Sequence, residues 1–473
     1  MVFEDLNDNV MPFIRRHRLL HNGATVIIGV SGGADSTLLL HYLHSIRKSW
    51  QLRLIAITID HGLRGKESEQ DVCFVKELCE TLDIEFVGEQ VDVKAYKRQS
   101  QAGTQLAARN LRYLLFERLM SDYQADYLAL AHHGDDQVET VMMRIAQHTN
   151  PSLLKGIPVK RCLAKGEIIR PFLCIAKDTI YEYCHMYEIS FREDPTNQSD
   201  DYTRNFYRNH ILPLLKEKSP SVHRHVQHLT ERVTEDEKYL VEESKKLIQR
   251  LVTISSVNRT VTFSISSFVK HPIALQRRAF HLILGYLYDK VPEGLSIKHE
   301  EDFFALLHQD KANVKIDFPS SLKAMKNYDD FIFFFESNMV HASLEEKHIT
   351  VPGVTTLTNG DLIKTWITTN ACSEDSSSLQ VPLERAELFP LSVRARKPGD
   401  RINIKGLGGS KKIKNLFIDE KIPLYKRDHW PLLVAKDQTI LWVIGLRKAE
   451  IMTPKHSQKF VCIEYQEQTD QEA

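Results

Sequence analysis

Over the first 215 residues, continuous apolar runs alternate with stretches whose apolar residues recur at helical spacing. The apolar runs cover residues 25–30, 52–59, 84–91 and 127–131, and the amphipathic stretches cover residues 36–46, 68–82, 104–120 and 136–147. Runs such as VIIGV are typical of strands that are covered on both faces. Strands and helices in strict alternation predict an α/β fold with a doubly wound, mostly parallel sheet.

The pattern changes in the second half of the chain. The next stretch is mainly helical in character, with helices predicted over 216–251, 273–288 and 298–309 and strand-like runs at 260–265 and 331–335. The remaining residues form short alternating runs separated by Gly, Pro, Asn and Asp, which predict a small β-rich domain. We therefore predict three domains, an α/β, a mainly helical and a β-rich one, at residues 1–215, 216–338 and 339–473.

The composition is that of an ordinary globular chain, with 62 Lys and Arg against 62 Asp and Glu and 42% hydrophobic residues in 473. No apolar run reaches the roughly 18 residues of a membrane-spanning helix, so we expect no membrane segment. The acidic N-terminus lacks the basic and apolar regions of a secretory signal. Seven cysteines without a C-x-x-C pair favour reduced thiols. We therefore expect a cytoplasmic protein.

The first polar segment follows the first predicted strand and comprises Ser31, Gly32, Gly33, Ala34, Asp35 and Ser36. Adjacent glycines let backbone N–H groups approach an anion, and the N-terminus of the following helix adds unpaired donors and a partial positive charge. The segment is therefore a candidate phosphate cradle, although it lacks the Lys-Ser/Thr ending of a Walker P-loop. Asp35 would repel phosphate unless Mg²⁺ lies between them, so Asp35 is the candidate metal ligand.

Two further pairs of residues suit a nucleotide. Asp60 and His61 end the second predicted strand, where they would reach the adenosine end of ATP; a turn capped by Asp60 is the alternative. Arg109 and Arg112 lie one turn apart on a predicted helix and share a face. Two guanidiniums on one face suit a triphosphate or an RNA backbone, or they form a solvated basic face. We assign this pair to ATP.

The segment LALAHHGDDQVET combines a buried strand with polar residues at the start of a helix. His132 and His133 follow the strand, and Asp136 and Glu139 present two carboxylates on one helical face. This arrangement fits a metal site, a seat for a cationic amine, or acidic capping of the helix. We favour the amine. The sequence leaves open which of the two histidines takes part in chemistry.

Two basic regions are candidates for binding RNA. Arg204 and Arg208 interleave with aromatic residues, a combination that suits unstacked RNA bases but also a solvated helix. Residues 391–430 hold eleven Lys and Arg against four Asp and Glu, a net charge of +7 in a neutral chain. Such a patch suits RNA phosphates or is a solvated surface. The residues that we select from it are Arg396, Lys397, Lys411 and Lys412.

The motifs SGGADS, DHGLR, AARNLRY and AHHGDDQVET, followed by RARKPGDRINIKGLGGSKKIKNLFIDEKIP, closely resemble those of the tRNA(Ile)-lysidine synthetase family. This family is one of the N-type ATP pyrophosphatases, which carry the PP-loop. The resemblance implies that ATP adenylates O2 of the wobble cytidine in the CAU anticodon of tRNA(Ile). Free L-lysine then attacks C2 and AMP is released. Mg²⁺ is the implied cofactor, and a homodimer is left open.

The resemblance and the residues together give each candidate a role. We expect Asp35, His133, Asp136 and Glu139 to be catalytic. Asp136 and Glu139 would also seat the substrate lysine, because they are two carboxylates near the nucleotide and lysine is a cation. Residues 31–36 would hold ATP together with Asp60, His61, Arg109 and Arg112.

Three other functions compete with this one. A tRNA 2-thiolation enzyme could use the same ATPase domain, but it would need cysteines to carry or ligate sulfur, and no C-x-x-C is present. An amide-forming synthetase for a small metabolite would not need the basic third domain. A non-catalytic RNA-binding protein would not need Asp35, Asp136 and Glu139 together.

Overall fold

The structure is a computed structural model of the 473-residue chain. It describes all residues except 1–3, 61, 63–65, 101–102, 148–149, 193–202, 257–258, 293, 312, 337–343, 371–374, 376, 405–408, 423, 455–456 and 468–473. The chain forms two compact units, Met1–Tyr239 and Leu240–Ala473. Each unit is described separately below.

The first unit is built on a six-stranded sheet. Its strands are β1 (Thr25–Gly29), β2 (Arg53–Asp60), β3 (Glu85–Gln90), β4 (Tyr127–Ala129), β5 (Lys160–Leu163) and β6 (Gly166–Ile169). The strand order is β3-β2-β1-β4-β6-β5, and every pair is parallel except β5 with β6. The chain order reverses between β1 and β4. In open α/β sheets, such a reversal opens a ligand-binding crevice at the carboxyl ends of the strands.

Helices cover both faces of this sheet. The helices up to the boundary of this unit are α1 (Glu4–His17), α2 (Ala34–Ile46), α3 (Lys66–Thr81), α4 (Val93–Ser100), α5 (Thr104–Asp122), α6 (Gly134–Gln147), α7 (Lys177–Met186), α8 (Thr203–Phe206), α9 (Leu212–Lys218) and α10 (Val222–Leu251), the last of which continues into the second unit. In β1, Val26 and Ile28 join one apolar cluster with α2, and Ile27 joins another with α5. Both faces are therefore buried, which explains the continuous apolar run and confirms the predicted doubly wound fold.

The second unit begins with a helical and sheet region. After the end of α10 come β7 (Val252–Ser255), β8 (Thr260–Ser264), α11 (Ile265–Phe268), α12 (Ile273–Leu287), α13 (Ile297–His308), β9 (Val314–Asp317), β10 (Leu322–Asn327) and β11 (Asp330–Phe335). The predicted helices are confirmed. The five strands form an antiparallel sheet in the order β7-β8-β11-β10-β9, which extends well beyond the two predicted runs. Its core is rich in phenylalanine, with Phe280, Phe303 and Phe333 in mutual contact.

The remainder of the second unit is rich in β-structure, as predicted. Its strands are β12 (Lys347–His348), β13 (Gly353–Thr356), β14 (Leu362–Thr368), β15 (Ser378–Pro382), β16 (Ser392–Arg394), β17 (Arg401–Asn403), β18 (Ser410–Lys412), β19 (Leu432–Val434), β20 (Ile440–Val443), β21 (Arg447–Lys448) and β22 (Phe460–Gln466), and its helices are α14 (Ile413–Asp419) and α15 (Leu424–Arg427). Two antiparallel sheets, β12-β16-β19-β20-β21 and β13-β14-β22-β15, contribute to a shared apolar core.

Three predictions of the sequence concern the chain as a whole. The boundary between the two compact units falls inside α10, so the division into three domains stays a prediction. Among the described residues, five cysteines are free, as expected, but Cys462 takes part in a disulfide, so the expectation of reduced thiols was wrong for this residue. Among the described residues, no helix combines the length and the apolar character that a bilayer crossing requires.

Candidate active site

The predicted phosphate cradle connects β1 to α2. Gly32 has a φ of +83°, a conformation that favours glycine. Gly33 caps α2 without any side-chain hydrogen bond to the first turn, which leaves backbone N–H groups at the helix N-terminus available for an anion. The Ser31 amide donates to Ser36 Oγ at 3.0 Å, and Ser36 Oγ donates to the Gly33 carbonyl at 3.2 Å, so the loop holds its own shape.

Asp35 lies in the first turn of α2 with an unsatisfied carboxylate oxygen. Its Oδ1 is buried and has no hydrogen-bond partner among the described residues, and its Oδ2 is 3.9 Å from His133 Nε2. Burial raises the pKa of Asp35, and the neighbouring His133 imidazole opposes this rise. An unpartnered buried carboxylate oxygen is a good ligand for a hard cation.

His133 lies between two carboxylates at the end of β4. Its Nε2 is 3.6 Å from Asp136 Oδ2, in addition to its approach to Asp35. The Asp136 amide donates to His133 Nδ1 at 3.3 Å, and the His133 amide donates to Asp136 Oδ2 at 3.1 Å. Because Nδ1 accepts a hydrogen bond, the neutral ring carries its proton on Nε2. His133 therefore directs an N–H group toward Asp35 and the cradle.

Asp136 and Glu139 are confirmed as neighbours on one face of α6, but they are not vacant. Arg204 Nε donates to Glu139 Oε2 at 2.8 Å, and Arg204 Nη2 donates to Asp136 Oδ1 at 3.0 Å. Arg208 Nε donates to Glu139 Oε1 at 2.7 Å, and its Nη2 donates to Asp136 Oδ1 at 3.1 Å. We call these four residues the carboxylate–arginine cluster.

The local helix geometry explains how both arginines reach the same carboxylates. Arg204 is in α8, and Arg208 is in a π-helical turn, Tyr207–Ile211, that follows directly. Residues four apart lie on one helical face, and a π-turn shifts that face locally. The Glu139 side chain is fully buried, whereas the Arg204 side chain is 40% exposed, so the cluster opens to solvent on its arginine side.

The charges of the cluster govern the pKa of Asp136. Burial by itself would raise this pKa, but the neighbouring His133 imidazole and the guanidiniums of Arg204 and Arg208 outweigh burial and hold it well below its usual range. Asp136 is therefore ionised at neutral pH. The prediction that Arg204 and Arg208 bind RNA is not tested by this arrangement, in which carboxylates engage both guanidiniums.

His132 faces a different part of the site. Burial lowers its pKa to about 3, and the charges of Arg170, Arg204 and Arg112 act in the same direction. Its Nδ1 has no hydrogen-bond partner among the described residues. His132 is thus a neutral ring beside a group of arginines, whereas His133 lies between carboxylates.

The remaining nucleotide candidates are placed as follows. Asp60 accepts hydrogen bonds from the Gly62 amide at 2.8 Å and from Gln90 Nε2 at 3.2 Å, so it caps the turn after β2. His61 lies outside the described residues. Arg109 and Arg112 lie against the ring of Tyr113, with guanidinium carbons 5.2 and 5.9 Å from its centroid.

Three of the four basic residues selected from residues 391–430 are paired with carboxylates. Arg396 Nε donates to Asp428 at 2.9 Å, and Lys397 Nζ is 3.1 Å from Glu346 Oε2. Lys411 pairs with Asp419. Lys412 is exposed and has no ion pair among the residues that the structure describes. Carboxylates therefore already engage three of the four cations selected for RNA, and Lys412 is the exception among the described residues.

Sequence reasoning missed several polar residues of the first unit. Lys216 Nζ lies 2.5 Å from Asp135 Oδ2 and 2.7 Å from Asp178 Oδ2, which anchors α9 to α6 and α7. Arg170 directly follows β6 and is 4% exposed. It lies at the carboxyl end of a parallel strand, as do the candidate residues that follow β1, β2 and β4. The short strand β6 gave no apolar run long enough to reveal this.

The fold and the cradle define the class of protein: a PP-loop nucleotide-binding α/β domain. A family model described as a PP-loop domain matches residues 6–215, and a model of the TilS substrate C-terminal domain matches residues 391–464.

Relatives that align over nearly the whole chain identify the family within this class. The tRNA(Ile)-lysidine synthase of Oceanobacillus iheyensis is 43% identical over 94% of this chain and 95% of its own length. The enzyme of the same name from Bacillus subtilis is 41% identical over 93% of this chain and 93% of its own length. That from Geobacillus kaustophilus is 39% identical over 97% of this chain and 99% of its own length. The chain therefore belongs to the tRNA(Ile)-lysidine synthase family.

Proposed function

We propose that this protein uses ATP to ligate free L-lysine to C2 of the wobble cytidine in the CAU anticodon of an isoleucine tRNA. ATP first adenylates cytidine O2 and releases pyrophosphate. The side-chain amine of lysine then attacks C2, and AMP leaves with O2. Cytidine O2 is a poor leaving group on its own, so its conversion to an AMP ester splits one difficult step into two easier ones.

The cradle supports binding of ATP through its phosphates. The uncapped start of α2 and the Gly32 turn offer backbone donors, and the His133 N–H points to the same region. Such donors stabilise negative charge as pyrophosphate departs. Because the loop already holds its own shape, it needs no large rearrangement to meet a polyphosphate.

Asp35 fits a Mg²⁺ ion held jointly with phosphate oxygens. No group of three or more His, Cys, Asp or Glu among the described residues could hold a metal alone. Mg²⁺ in nucleotide enzymes is typically bound by one or two carboxylates plus substrate phosphates, which agrees with the single orphaned oxygen of Asp35. When bound, Mg²⁺ would neutralise developing charge on the phosphates.

The carboxylate–arginine cluster is the observation that carries the choice of an amino acid as substrate. Its buried carboxylates suit an ammonium group, and its partly exposed guanidiniums suit a carboxylate. A free amino acid presents both groups at one end. We therefore assign Asp136 and Glu139 to an ammonium of lysine, and Arg204 and Arg208 to its carboxylate.

Thiolation is less well supported, because the three relatives described above, which match nearly the whole chain, are named lysidine synthases. The five free cysteines also include none within the cradle or the carboxylate–arginine cluster. The proposal also includes a cytoplasmic location and leaves a homodimer open.

One assay tests the proposed reaction. The protein is incubated with ATP, radiolabelled lysine and an isoleucine tRNA transcript with the anticodon CAU; a matched transcript with GAU is the control. We expect label in the CAU transcript alone, with one AMP released for each lysine incorporated. Absence of label, or equal labelling of both transcripts, would overturn the proposal.

A further inference from the structure

A cavity of about 480 Å³ lies in the first unit between α5 and the β5–β6 hairpin. Helix α5 contributes Arg109, Tyr113 and Glu117 to its lining, and β5 contributes Arg161. We call this cavity the arginine groove. None of the roles assigned above to the cradle or to the carboxylate–arginine cluster uses it as a site.

The groove gathers positive charge around one aromatic ring. The guanidinium carbons of Arg161, Arg109 and Arg112 lie 4.9, 5.2 and 5.9 Å from the centroid of Tyr113. None of the three forms an ion pair with a carboxylate within the described part of the chain. Cations are attracted to the π-face of an aromatic ring, which offsets part of their mutual repulsion. The cluster therefore keeps a positive potential that an anion can neutralise.

A fourth guanidinium adjoins this group. Arg170 is 4% exposed, and its Nη1 donates to the Pro158 carbonyl at 2.6 Å, while its Nε has no partner among the described residues. Burial lowers the pKa of Arg170 to about 10, with the charges of Arg161 and Arg109 contributing in the same direction. It is still charged at neutral pH. Arg170 is a buried cation without an ion-paired carboxylate among the described residues, and burying such a charge costs free energy.

The position of the groove separates it from the phosphate cradle. The cradle follows β1, whereas Arg161 is on β5, three strands away in the order β1-β4-β6-β5, or roughly 14 Å at the usual strand spacing. His132 is influenced by Arg112 and Arg170, but Asp35 is influenced by His133 and Lys177. Arg112 and Arg170 therefore act on His132 and are not among the charges that act most strongly on Asp35.

We propose that the arginine groove binds the sugar–phosphate backbone of the RNA strand next to the nucleotide that is modified. This inference rests on the proposed function and replaces the assignment of Arg109 and Arg112 to ATP. Positive grooves with aromatic residues are the common device for holding single-stranded RNA. The Glu117 carboxylate adds an acceptor for a ribose 2′-hydroxyl, a group that a free triphosphate would not need there.

The test is the salt dependence of tRNA binding by the double variant Arg109→Ala/Arg161→Ala. Both side chains are exposed, so we expect the variant to fold. We expect affinity for the CAU transcript to fall at least tenfold at low salt, and the slope of log K against log salt to decrease by about 0.7 for each phosphate that the variant no longer neutralises. The ATP concentration for half-maximal pyrophosphate release should stay the same.

Lys165→Ala is the matched control, because it removes one exposed cation from the turn of the same hairpin, outside the groove. We expect it to leave the affinity and the salt slope unchanged. An unchanged slope in the double variant, or an effect as large in Lys165→Ala, would overturn the proposal. A raised ATP requirement with normal tRNA binding would assign the groove to the triphosphate instead.

Failure of this inference can be distinguished from failure of the proposed function. Binding of tRNA is measured without lysine, so the groove is tested even if no lysidine forms. If the unaltered protein incorporates lysine but the double variant binds tRNA normally, only the groove is rejected.

Discussion

The carboxylate–arginine cluster and the arginine groove are both built from arginines, but the arginines are neutralised by carboxylates in the cluster and, among the described residues, not in the groove. In the cluster, Arg204 and Arg208 are each bonded to Asp136 and Glu139. In the groove, Arg109 and Arg161 have only the Tyr113 ring as a described partner. A cluster with balanced charges suits a ligand that is itself balanced, such as an amino acid. A groove with unbalanced charge suits a polyanion.

Asp35 resembles the arginines of the groove in one respect, because its Oδ1 has no hydrogen-bond partner among the described residues. We expect Asp35→Ala to lower pyrophosphate release on the order of a thousandfold, since several kcal/mol of metal-based charge stabilisation would disappear. Its side chain makes no hydrogen bond at Oδ1, so the fold should persist. Pyrophosphate release and circular dichroism are the measurements.

Glu77→Ala, which removes an exposed carboxylate from α3, is the control for this variant. It should behave like the unaltered protein. Normal pyrophosphate release by a folded Asp35→Ala variant would remove Asp35 from the metal and phosphate site.

Glu139→Gln unbalances the cluster while keeping its shape. Loss of a charge-assisted hydrogen bond costs about 1.5–3 kcal/mol, so we expect the lysine requirement to rise roughly ten- to a hundredfold. Adenylation of the cytidine needs no lysine and should continue. The measurement is a titration of lysine after the adenylated RNA has formed. If adenylation itself is abolished, Glu139 belongs to the nucleotide or to the metal.

Arg204→Ala tests the other half of the cluster. Arg208 still donates to both carboxylates, so the cluster should hold together. We expect the preference for lysine over cadaverine, which lacks the carboxylate, to fall about tenfold in the variant. Competition between the two amines for adenylated tRNA measures this preference. Arg224→Ala, at an exposed position of α10, is the control, and an unchanged preference in Arg204→Ala would reject a contact with the carboxylate.

Local patterns predicted the parts of this site that lie close together in the chain. The apolar run of β1 and the two glycines that follow it located the cradle, and the spacing of Asp136 and Glu139 placed both on one face of α6. These predictions needed only the periods of strand and helix. They were correct because each feature is encoded within about ten residues.

Contacts between distant segments were beyond the same reasoning. Arg204 is 65 residues from Glu139, and no local pattern indicates that the two side chains meet. The strand β5 has four residues, three of them exposed, so Arg161 appeared in no predicted element. A count of charges likewise could not show that Arg396 is paired with Asp428.

Paired and unpaired cations can also be compared in the second unit, where we expect the smallest effect of a substitution. Lys411 and Lys412 are adjacent on β18, but within the described residues only Lys411 has an ion-pair partner, Asp419. If unpaired cations are the ones that bind RNA phosphates, Lys412→Ala should weaken tRNA binding a few-fold at low salt and reduce the salt slope by about 0.7–0.9. Lys411→Ala should do less, because that lysine must first give up its carboxylate. Equal effects of the two variants would show that pairing within the protein does not predict which cations the RNA uses.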